Sequence, residues 1–327
     1  MKRERYTDLA LEAAEAIYEK ESEGFAINGV EMTKENKNGA TVTWVKVLDE
    51  SGERSLGKPA GNYITIESDA MRKANIDAHE EIIGILTDSL AKLINLGGDA
   101  EILIVGLGNR SVTPDALGPA VVSKTLLTRH IFDKLPADGA LKVRSVSAIA
   151  PGVMGTTGIE TFDIVNGICR ETKPSLVIAI DALAARRTNR VNATIQICDT
   201  GVSPGAGMGN ARKIISGRDL GVPVVAIGVP TVVDAATLVN DTLDLFLTSM
   251  EGETLCEGQF YDMLRSLEEQ DKYNLVKRIL EPYSGNMFVT PKEVDSVIDR
   301  LSNIIANAIN IALHPGITKD DINRFMY

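Results

Sequence analysis

The feature that most constrains this chain is a pair of short apolar runs, each followed by an Asp-Ala-Leu tripeptide. The first run covers residues 101–105 and is followed, after a glycine-rich stretch, by Asp115. The second covers residues 176–180 and is followed directly by Asp181. Apolar runs of this length predict strands that are buried on both faces of a sheet. Because ligands of open parallel sheets bind outside the carboxyl ends of the strands, we expect both aspartates at that edge.

Strand and helix patterns alternate through the middle of the chain. This alternation predicts a three-layer α/β fold, in which helices cover both faces of a mostly parallel sheet. The predicted strands cover residues 102–106, 142–149, 176–180, 192–198 and 222–228, and the predicted helices cover residues 118–134, 159–172 and 234–250. We interpret residues 101–250 as the core of a single domain.

Elaborations are expected on both sides of this core. Residues 25–67 alternate between apolar and polar positions, which predicts a small β-rich flap or side sheet. The expected elements are strands at 41–48 and 62–66 and a turn at 49–52. A long helix is predicted from residue 68 to residue 96, where a pair of glycines ends it. Residues 257–327 have a helical pattern.

The composition limits the possible partners and compartment. The chain has 327 residues and a net charge of −11, which argues against duplex nucleic acid as a partner, since phosphate binding needs a basic face. Its apolar runs are shorter than the roughly 20 residues that span a bilayer. The charged amino terminus lacks the apolar stretch of a signal peptide. We expect a cytoplasmic protein with no membrane partner.

The cysteines and histidines lack the spacing of a metal site. The cysteines form no C-x-x-C pair, which indicates structural thiols in a reducing compartment, and we expect Cys169 and Cys198 to be buried. The three histidines, His79, His130 and His314, are far apart and match no H-E-x-x-H motif. We therefore expect no metal centre.

Motifs of the common cofactor and hydrolase classes are incomplete. Residues 106–111 are similar to a dinucleotide fingerprint, but Ser111 replaces the third glycine and Pro114 follows where the helix should continue. The Walker motif is incomplete, because Pro59 follows Gly57 and Lys58 where a serine or threonine is required. Residues 201–205 match G-x-S-x-G, but no histidine falls late in the sheet region, where a catalytic triad would need one. We expect no cofactor.

Asp115 and Asp181 have two interpretations each. A structural role is a helix cap for Asp115 and a hydrogen-bonded strand end for Asp181. A functional role is an acid/base pair, because two carboxylates at close range cannot both ionise easily. The repeated local sequence favours the functional role. The glycine-rich loop at 201–210 could form an anion-binding nest, so a non-enzymatic anion or nucleotide sensor remains an alternative.

Several further motifs carry a family resemblance. They lie at residues 105–109, 118–119, 147–155, 157–161, 180–186, 190–196, 227–235 and 290–295. On these motifs the chain resembles the germination proteases of endospore-forming bacteria, the endopeptidases that degrade small acid-soluble spore proteins. The resemblance covers nearly the whole chain. It implies an atypical aspartic-type protease whose two essential aspartates fall on Asp115 and Asp181.

The resemblance also implies a zymogen that processes itself. The family prefers an acidic residue before the cut, then a hydrophobic residue, then alanine, and Asp8, Leu9 and Ala10 match this order. Cleavage between Asp8 and Leu9 would divide a propeptide of residues 1–8 from a protease domain of residues 9–327. Asp8 could equally cap a helix that begins near Leu9. A homotetramer that acts on small acid-soluble spore proteins in the spore core is implied as well.

The family is distantly similar to the hydrogenase maturation endopeptidases. Those proteins share a Gly-x-Gly-Asn opening, matched here at residues 106–109, and acidic residues at the positions of Asp115 and Asp181. They bind a metal with an additional histidine, and none of the three histidines here matches the position of that ligand. Water activation by a shared-proton pair is therefore favoured, and a metallopeptidase with the same two aspartates as ligands remains the alternative.

Overall fold

A nine-stranded mixed sheet forms the centre of the fold in the computed structural model, which describes residues 7–18, 27–134, 142–205, 213–249, 263, 266–267, 269–284 and 287–324. The strands are β1 (Val30–Lys37), β2 (Ala40–Val47), β3 (Gly61–Glu67), β4 (Glu101–Gly106), β5 (Ser145–Ile149), β6 (Leu176–Ala185), β7 (Thr194–Cys198), β8 (Val224–Asp234) and β9 (Phe288–Val289). The helices are α1 (Ala10–Tyr18), α2 (Glu50–Leu56), α3 (Ile76–Leu93), α4 (Leu117–Lys124), α5 (Met154–Thr157), α6 (Thr161–Thr172), α7 (Gly217–Leu220), α8 (Ala235–Ser249), α9 (Glu269–Ser284) and α10 (Val294–Leu313).

The strand order is β1-β2-β3-β7-β8-β6-β4-β5, with β9 added beside β8. Strands β5, β4, β6 and β8 run parallel to one another. The other strands are antiparallel to their neighbours, so the parallel part is confined to one half of the sheet. Since β3 pairs with β7, the predicted β-rich flap at 25–67 is instead a continuation of the central sheet.

Helices cover both faces of the sheet, which confirms the three-layer α/β class. Alternate residues of a strand point to opposite faces. On one face, Ile178 and Ile180 of β6 pack in a cluster that includes α3, α4 and α10. On the other face, Val177 and Ala179 pack with α6 and α7. The central strands are buried on both sides, as their unbroken apolar runs predicted.

Helix α1 lies on the same face as α6 and α7. Its residues Ala10 and Ala14 are fully buried in a cluster with Tyr63, Cys198 and Ala226, which come from β3, β7 and β8. Small residues let the helix approach the sheet closely. The amino-terminal segment is therefore part of the core of the described structure.

The predicted turn at 49–52 is the start of helix α2. Asp49 caps this helix, because its Oδ1 accepts hydrogen bonds from Ser51 N at 2.9 Å and Gly52 N at 3.0 Å. A capping aspartate before a glycine gives the same sequence signal as a tight turn, and this ambiguity explains the wrong prediction.

Two long helices were predicted too long. The helix predicted over 68–96 is a 3-10 turn at Asp69–Arg72 followed by α3, which ends at Leu93, before the glycine pair. The helix predicted over 118–134 is α4 followed by a separate 3-10 turn at Arg129–Lys134.

The cysteines behave as expected where they are described. Cys169 on α6 and Cys198 on β7 are free thiols and both are buried. Cys256 lies outside the described residues. Across the described ranges, no helix has both the length and the apolar character needed to cross a bilayer.

Candidate active site

Asp115 closes a short 3-10 turn, Thr113–Asp115, in the connection from β4 to α4. Its Oδ2 accepts a hydrogen bond from Asn109 N at 2.7 Å, and its own N–H donates to Val112 O at 2.8 Å. The first position of α4 is preceded by Ala116, whose side chain offers no cap. The loop that follows β4 therefore holds the Asp115 carboxylate.

Gly108 is the residue that allows this arrangement. Its φ is +109°, a conformation that residues with a side chain rarely adopt. A Cβ at this position would lie 2.0 Å from the backbone oxygen of Asp115 and 3.0 Å from its Oδ1. The glycine thus provides both the backbone conformation and the space that bring Asp115 against the end of β4.

Asp181 lies inside β6, which differs from the prediction that it follows the strand. The strand continues to Ala185, five residues beyond the predicted end. Asp181 is 5% exposed, its partner on β8 is Gly228, and its Oδ1 accepts a hydrogen bond from Ala182 N at 2.9 Å. Strand β4 ends opposite Ile180, so the edge of β6 beyond this point is not paired with β4.

The two aspartates line one cavity of about 250 Å³. Two threonines in its wall connect separate parts of the chain. Thr231 Oγ1 donates to Pro114 O at 2.7 Å, and Thr290 Oγ1 donates to Thr231 O at 2.8 Å. These bonds tie the turn that carries Asp115 to β8 and to the segment before α10.

Asp8 lines the same cavity. Its Oδ2 accepts a hydrogen bond from Ala184 N at 3.1 Å, on the edge of β6 beyond Asp181. Leu9 is fully buried. The sequence identified Asp8 and Leu9 as the predicted cleavage position, and the structure places this position beside the predicted aspartate pair.

Two side chains from distant parts of the sequence hold the backbone around Asp8. Lys58 Nζ donates to Thr7 O at 2.9 Å and to Asp8 O at 3.1 Å. Gln196 Nε2 donates to Asp8 O at 3.3 Å, and Gln196 Oε1 accepts from Ala10 N at 2.6 Å. Burial lowers the pKa of Lys58, and the nearby charge of Asp8 opposes this effect. The sequence pattern assigned no role to either residue, although Gln196 is the last residue of the 190–196 motif that carries the family resemblance.

Glu12 forms a second anchor, four residues after Asp8. It is fully buried, and its carboxylate accepts hydrogen bonds from Arg186 N at 2.8 Å and Arg187 N at 3.1 Å. The hydroxyl of Thr7 also donates to it, and Arg190 Nη1 lies 3.5 Å away. Burial raises the pKa of Glu12, and these donors oppose the rise.

The edge of β6, together with Arg186 just after its end, therefore binds three carboxylates in a row. The N–H groups of Ala182, Ala184 and Arg186, every second residue, donate to the carboxylates of Asp181, Asp8 and Glu12 respectively. Backbone N–H groups that point to one edge of a strand recur every second residue. This edge gives the cavity an ordered set of donors for acidic side chains.

The glycine-rich loop predicted at 201–210 is described only as far as Gly205. Ser203 and Gly205 line the cavity of the two aspartates. Residues 206–210, and the first six residues of the chain, lie outside the described part. The loop thus borders the candidate site at the positions that can be placed.

The histidines lie away from the cavity lining. His79 Nε2 is 2.8 Å from Lys73 O, and His130 is exposed. His314 is fully buried, and its Nδ1 accepts from Arg144 N at 3.2 Å. Burial lowers the pKa of His314 to about 4. Within the described ranges, no group of three or more His, Cys, Asp or Glu side chains is arranged to hold a metal ion.

Comparison with known proteins identifies the family. Carboxylates gathered in a cavity of an α/β fold are suited to acid–base chemistry, so the fold and the site are those expected of an enzyme that uses acid–base catalysis. A family model described as germination protease matches residues 8–260 and 251–326. The chain belongs to the germination protease family.

Full-length relatives agree with this assignment. The chain is 46% identical over 321 residues to the germination protease of Caldanaerobacter subterraneus subsp. tengcongensis, and 46% identical over 320 residues to that of Clostridium tetani, with 98% of each chain covered in both cases. It is 42% identical over 356 residues to the germination protease of Bacillus cytotoxicus, covering 98% of this chain and 96% of the relative. The protein is therefore a peptidase that acts in germination, which argues against the sensor alternative.

A solved structure also matches. It is the NiFe hydrogenase maturation protease HycI from Thermococcus kodakarensis KOD1, with a TM-score of 0.33 and 16% identity, covering 68% of this chain and 98% of that one.

Proposed function

We propose that the protein is an endopeptidase that begins the degradation of small acid-soluble spore proteins in the spore core, with Asp115 and Asp181 as its acid/base pair. The observation that carries the proposal is that both carboxylates line one cavity together with Asp8. In this mechanism, one ionised aspartate accepts a proton from the attacking water. The other, protonated, polarises the scissile carbonyl and then protonates the leaving amine. The two titrations are coupled, so the roles belong to the pair.

The same proposal includes self-processing. Residues 1–8 are the propeptide, and the bond between Asp8 and Leu9 is cut. The contacts of three residues support this assignment, since Asp8 binds Ala184 N and both Leu9 and Ala10 are fully buried. An acidic, a hydrophobic and a small residue are thus held in the order that the family prefers. While Asp8 is in place, it lines the cavity that a substrate needs to enter.

The proposed assembly is a homotetramer of this chain. The subunit count follows from the family resemblance, and sedimentation equilibrium of the purified protein measures it. A mass of one or two subunits at micromolar concentration would contradict it.

Incubation of purified protein with a small acid-soluble spore protein, with and without a chelator, tests the proposed function. We expect internal cleavage after an acidic residue, at equal rates in both conditions. Loss of cleavage with the chelator, restored by one added metal, would replace the acid/base pair with the metallopeptidase alternative, in which Asp115 and Asp181 are ligands. Absence of cleavage by the processed protein would contradict the substrate assignment.

A further inference from the structure

The carbonyl oxygen of Asp8 receives two side-chain hydrogen bonds. Lys58 Nζ donates to it at 3.1 Å and Gln196 Nε2 donates at 3.3 Å. This oxygen belongs to the peptide bond between Asp8 and Leu9. The Lys58 amino group carries enough N–H groups to bind this oxygen and Thr7 O at the same time, in its charged and in its neutral form.

Gln196 also fixes the chain on the far side of the same bond. Its Oε1 accepts from Ala10 N at 2.6 Å, so one side-chain amide spans Leu9 and binds the backbone before and after it. Gln196 is 6% exposed, and its position on β7 is set by the sheet. The carbonyl is therefore held by a rigid element and cannot easily turn away from its donors.

Asp8 lines the cavity that contains the two donors and also the cavity that contains the two aspartates. Gly228 on β8 is the register partner of Gln196 on one side and of Asp181 on the other, so the three residues form a row across neighbouring strands. Register partners point to the same face of a sheet, and the outer two are about 10 Å apart at their Cα atoms. A second cavity of about 220 Å³ contains Lys58, Gln196 and Gly228, and Asp8 lines both cavities.

We propose that Lys58 and Gln196 form the oxyanion-binding site for cleavage of the bond between Asp8 and Leu9. The inference rests on the proposed function, since it assumes that this bond is cut. Water attacks the Asp8 carbonyl carbon and gives a proton to the ionised aspartate, and the carbonyl electron pair moves onto the oxygen. Lys58 and Gln196 bind the resulting oxyanion. The electron pair on the oxyanion then reforms the carbonyl double bond, and the bond between the Asp8 carbonyl carbon and Leu9 N breaks. Leu9 N takes a proton from the protonated aspartate.

With this site, neither aspartate is needed to polarise the carbonyl of Asp8. A carbonyl oxygen accepts two hydrogen bonds through its two lone pairs, and both donors here are already in place. Asp115 and Asp181 then act on the water and on the leaving nitrogen, while Lys58 and Gln196 act on the oxygen. Donors that are fixed before the reaction stabilise developing charge without reorganisation.

The rate of self-cleavage tests the site. Mass spectrometry follows the appearance of the chain that begins at Leu9 in the wild type, Lys58→Met, Gln196→Glu and the control Lys46→Met, whose lysine is exposed on β2. We expect Lys58→Met and Gln196→Glu each to slow conversion by about 100-fold or more, the usual effect of removing one oxyanion donor, and Lys46→Met to leave it unchanged. Conversion of Lys58→Met within threefold of the wild type would overturn the proposal.

A second measurement detects the contact between Lys58 and the Asp8 carbonyl without relying on cleavage. The sequence has three Asp-Leu pairs, at 8–9, 219–220 and 244–245. The protein is labelled with ¹³C-carbonyl aspartate and ¹⁵N-leucine, so carbonyl–nitrogen correlation NMR gives one signal for each Asp-Leu pair. The Asp181→Asn substitution is included so that the bond between residues 8 and 9 stays intact. We expect Lys58→Met to move the 8–9 signal and leave the other two in place, which also shows that the variant is folded. An unmoved 8–9 signal would overturn the proposal. A wild type that never converts would instead refute the proposed self-processing.

Discussion

The carboxylate of Asp8 is bound by the backbone N–H of Ala184, three residues beyond Asp181 on the same strand. One strand therefore carries a member of the aspartate pair and also holds the acidic residue that precedes the predicted cut. This contact gives a physical reason for an acidic residue at that position, because a neutral side chain of similar size accepts the hydrogen bond less strongly.

Asn at Asp115 or Asp181 should abolish activity without unfolding the protein. Loss of one acid/base group lowers the cleavage rate of a small acid-soluble spore protein by at least about 100-fold. Asp163→Asn is the matched control, because Asp163 is exposed on α6 and pairs with Lys213 at 2.9 Å. Thermal unfolding checks the fold. Near wild-type cleavage by Asp181→Asn that is expressed in the mature form, from residue 9 onward, would refute the assignment.

The purified chain should acquire a new amino terminus at Leu9 when held at mildly acid pH. The basic residues Lys2, Arg3 and Arg5 predict that the removed segment lies against an acidic cleft, and protonation of that cleft weakens the attraction. Intact-mass measurement detects the loss of residues 1–8. Asp115→Asn should keep its full length, and a fully active preparation with an unprocessed amino terminus would contradict the prediction.

Gly108→Ala should reduce activity far more than Gly39→Ala. Both glycines have positive φ, so either alanine strains the backbone by about 1 kcal/mol. Only at Gly108 does the added Cβ also meet Asp115, whereas nothing lies within 4 Å at Gly39. We expect Gly39→Ala to lower the melting temperature with full activity, and Gly108→Ala to lose most cleavage. Equal activities would show that the position of Asp115 is not critical.

Acid should destabilise the fold through His314. Its folded-state pKa of about 4 lies below the ordinary 6.5, so between these values the unfolded chain holds more protons, and stability falls as pH drops through this window. The full loss is about 3 kcal/mol, since one unit corresponds to about 1.4 kcal/mol. His314→Asn keeps an acceptor for Arg144 N and should flatten the fall in melting temperature between pH 7 and 5. His130→Asn, at an exposed position, should follow the wild type.

Glu12→Gln should loosen α1. The N–H groups of Arg186 and Arg187 bind the two carboxylate oxygens of Glu12, and the glutamine amide has only one oxygen. The charge of Arg190 also loses one of its carboxylate partners. We therefore expect the free energy that holds α1 on the sheet to fall by about 3 kcal/mol. Hydrogen exchange of residues 10–18, followed by mass spectrometry, measures this change. Glu50→Gln, at an exposed side chain on α2, is the control. Unchanged protection of α1 would mean that Glu12 is not its anchor.

The sequence predicted the parts of this fold that depend on local pattern. Buried runs such as 101–105 identify central strands, because strands covered on both faces are apolar throughout. Strand β1 was not predicted, because it lacks an alternating apolar pattern and its polar residues are mostly exposed. Its pairing with β2, which the local sequence does not indicate, is what makes it a strand. The end of β6 was placed too early because Ala-Leu-Ala-Ala has no strong strand preference.

The site was predictable only in part for a related reason. Asp115 and Asp181 have repeated local motifs, and Asp8 and Leu9 match the cleavage preference that the family resemblance implies. Lys58 and Gln196 have no such signal, because their importance comes from tertiary contacts with Asp8, which is 50 and 188 residues away in sequence.

The row of donors on β6 has a consequence for how the chain is aligned in the cavity. The N–H groups of Ala184 and Arg186, two residues apart, bind the carboxylates of Asp8, which precedes α1, and of Glu12, which lies in its first turn. A shift of the chain by a single residue along this edge would separate both carboxylates from their donors. Two contacts together, rather than one, therefore set the register at which the proposed cleavage bond lies beside the cavity.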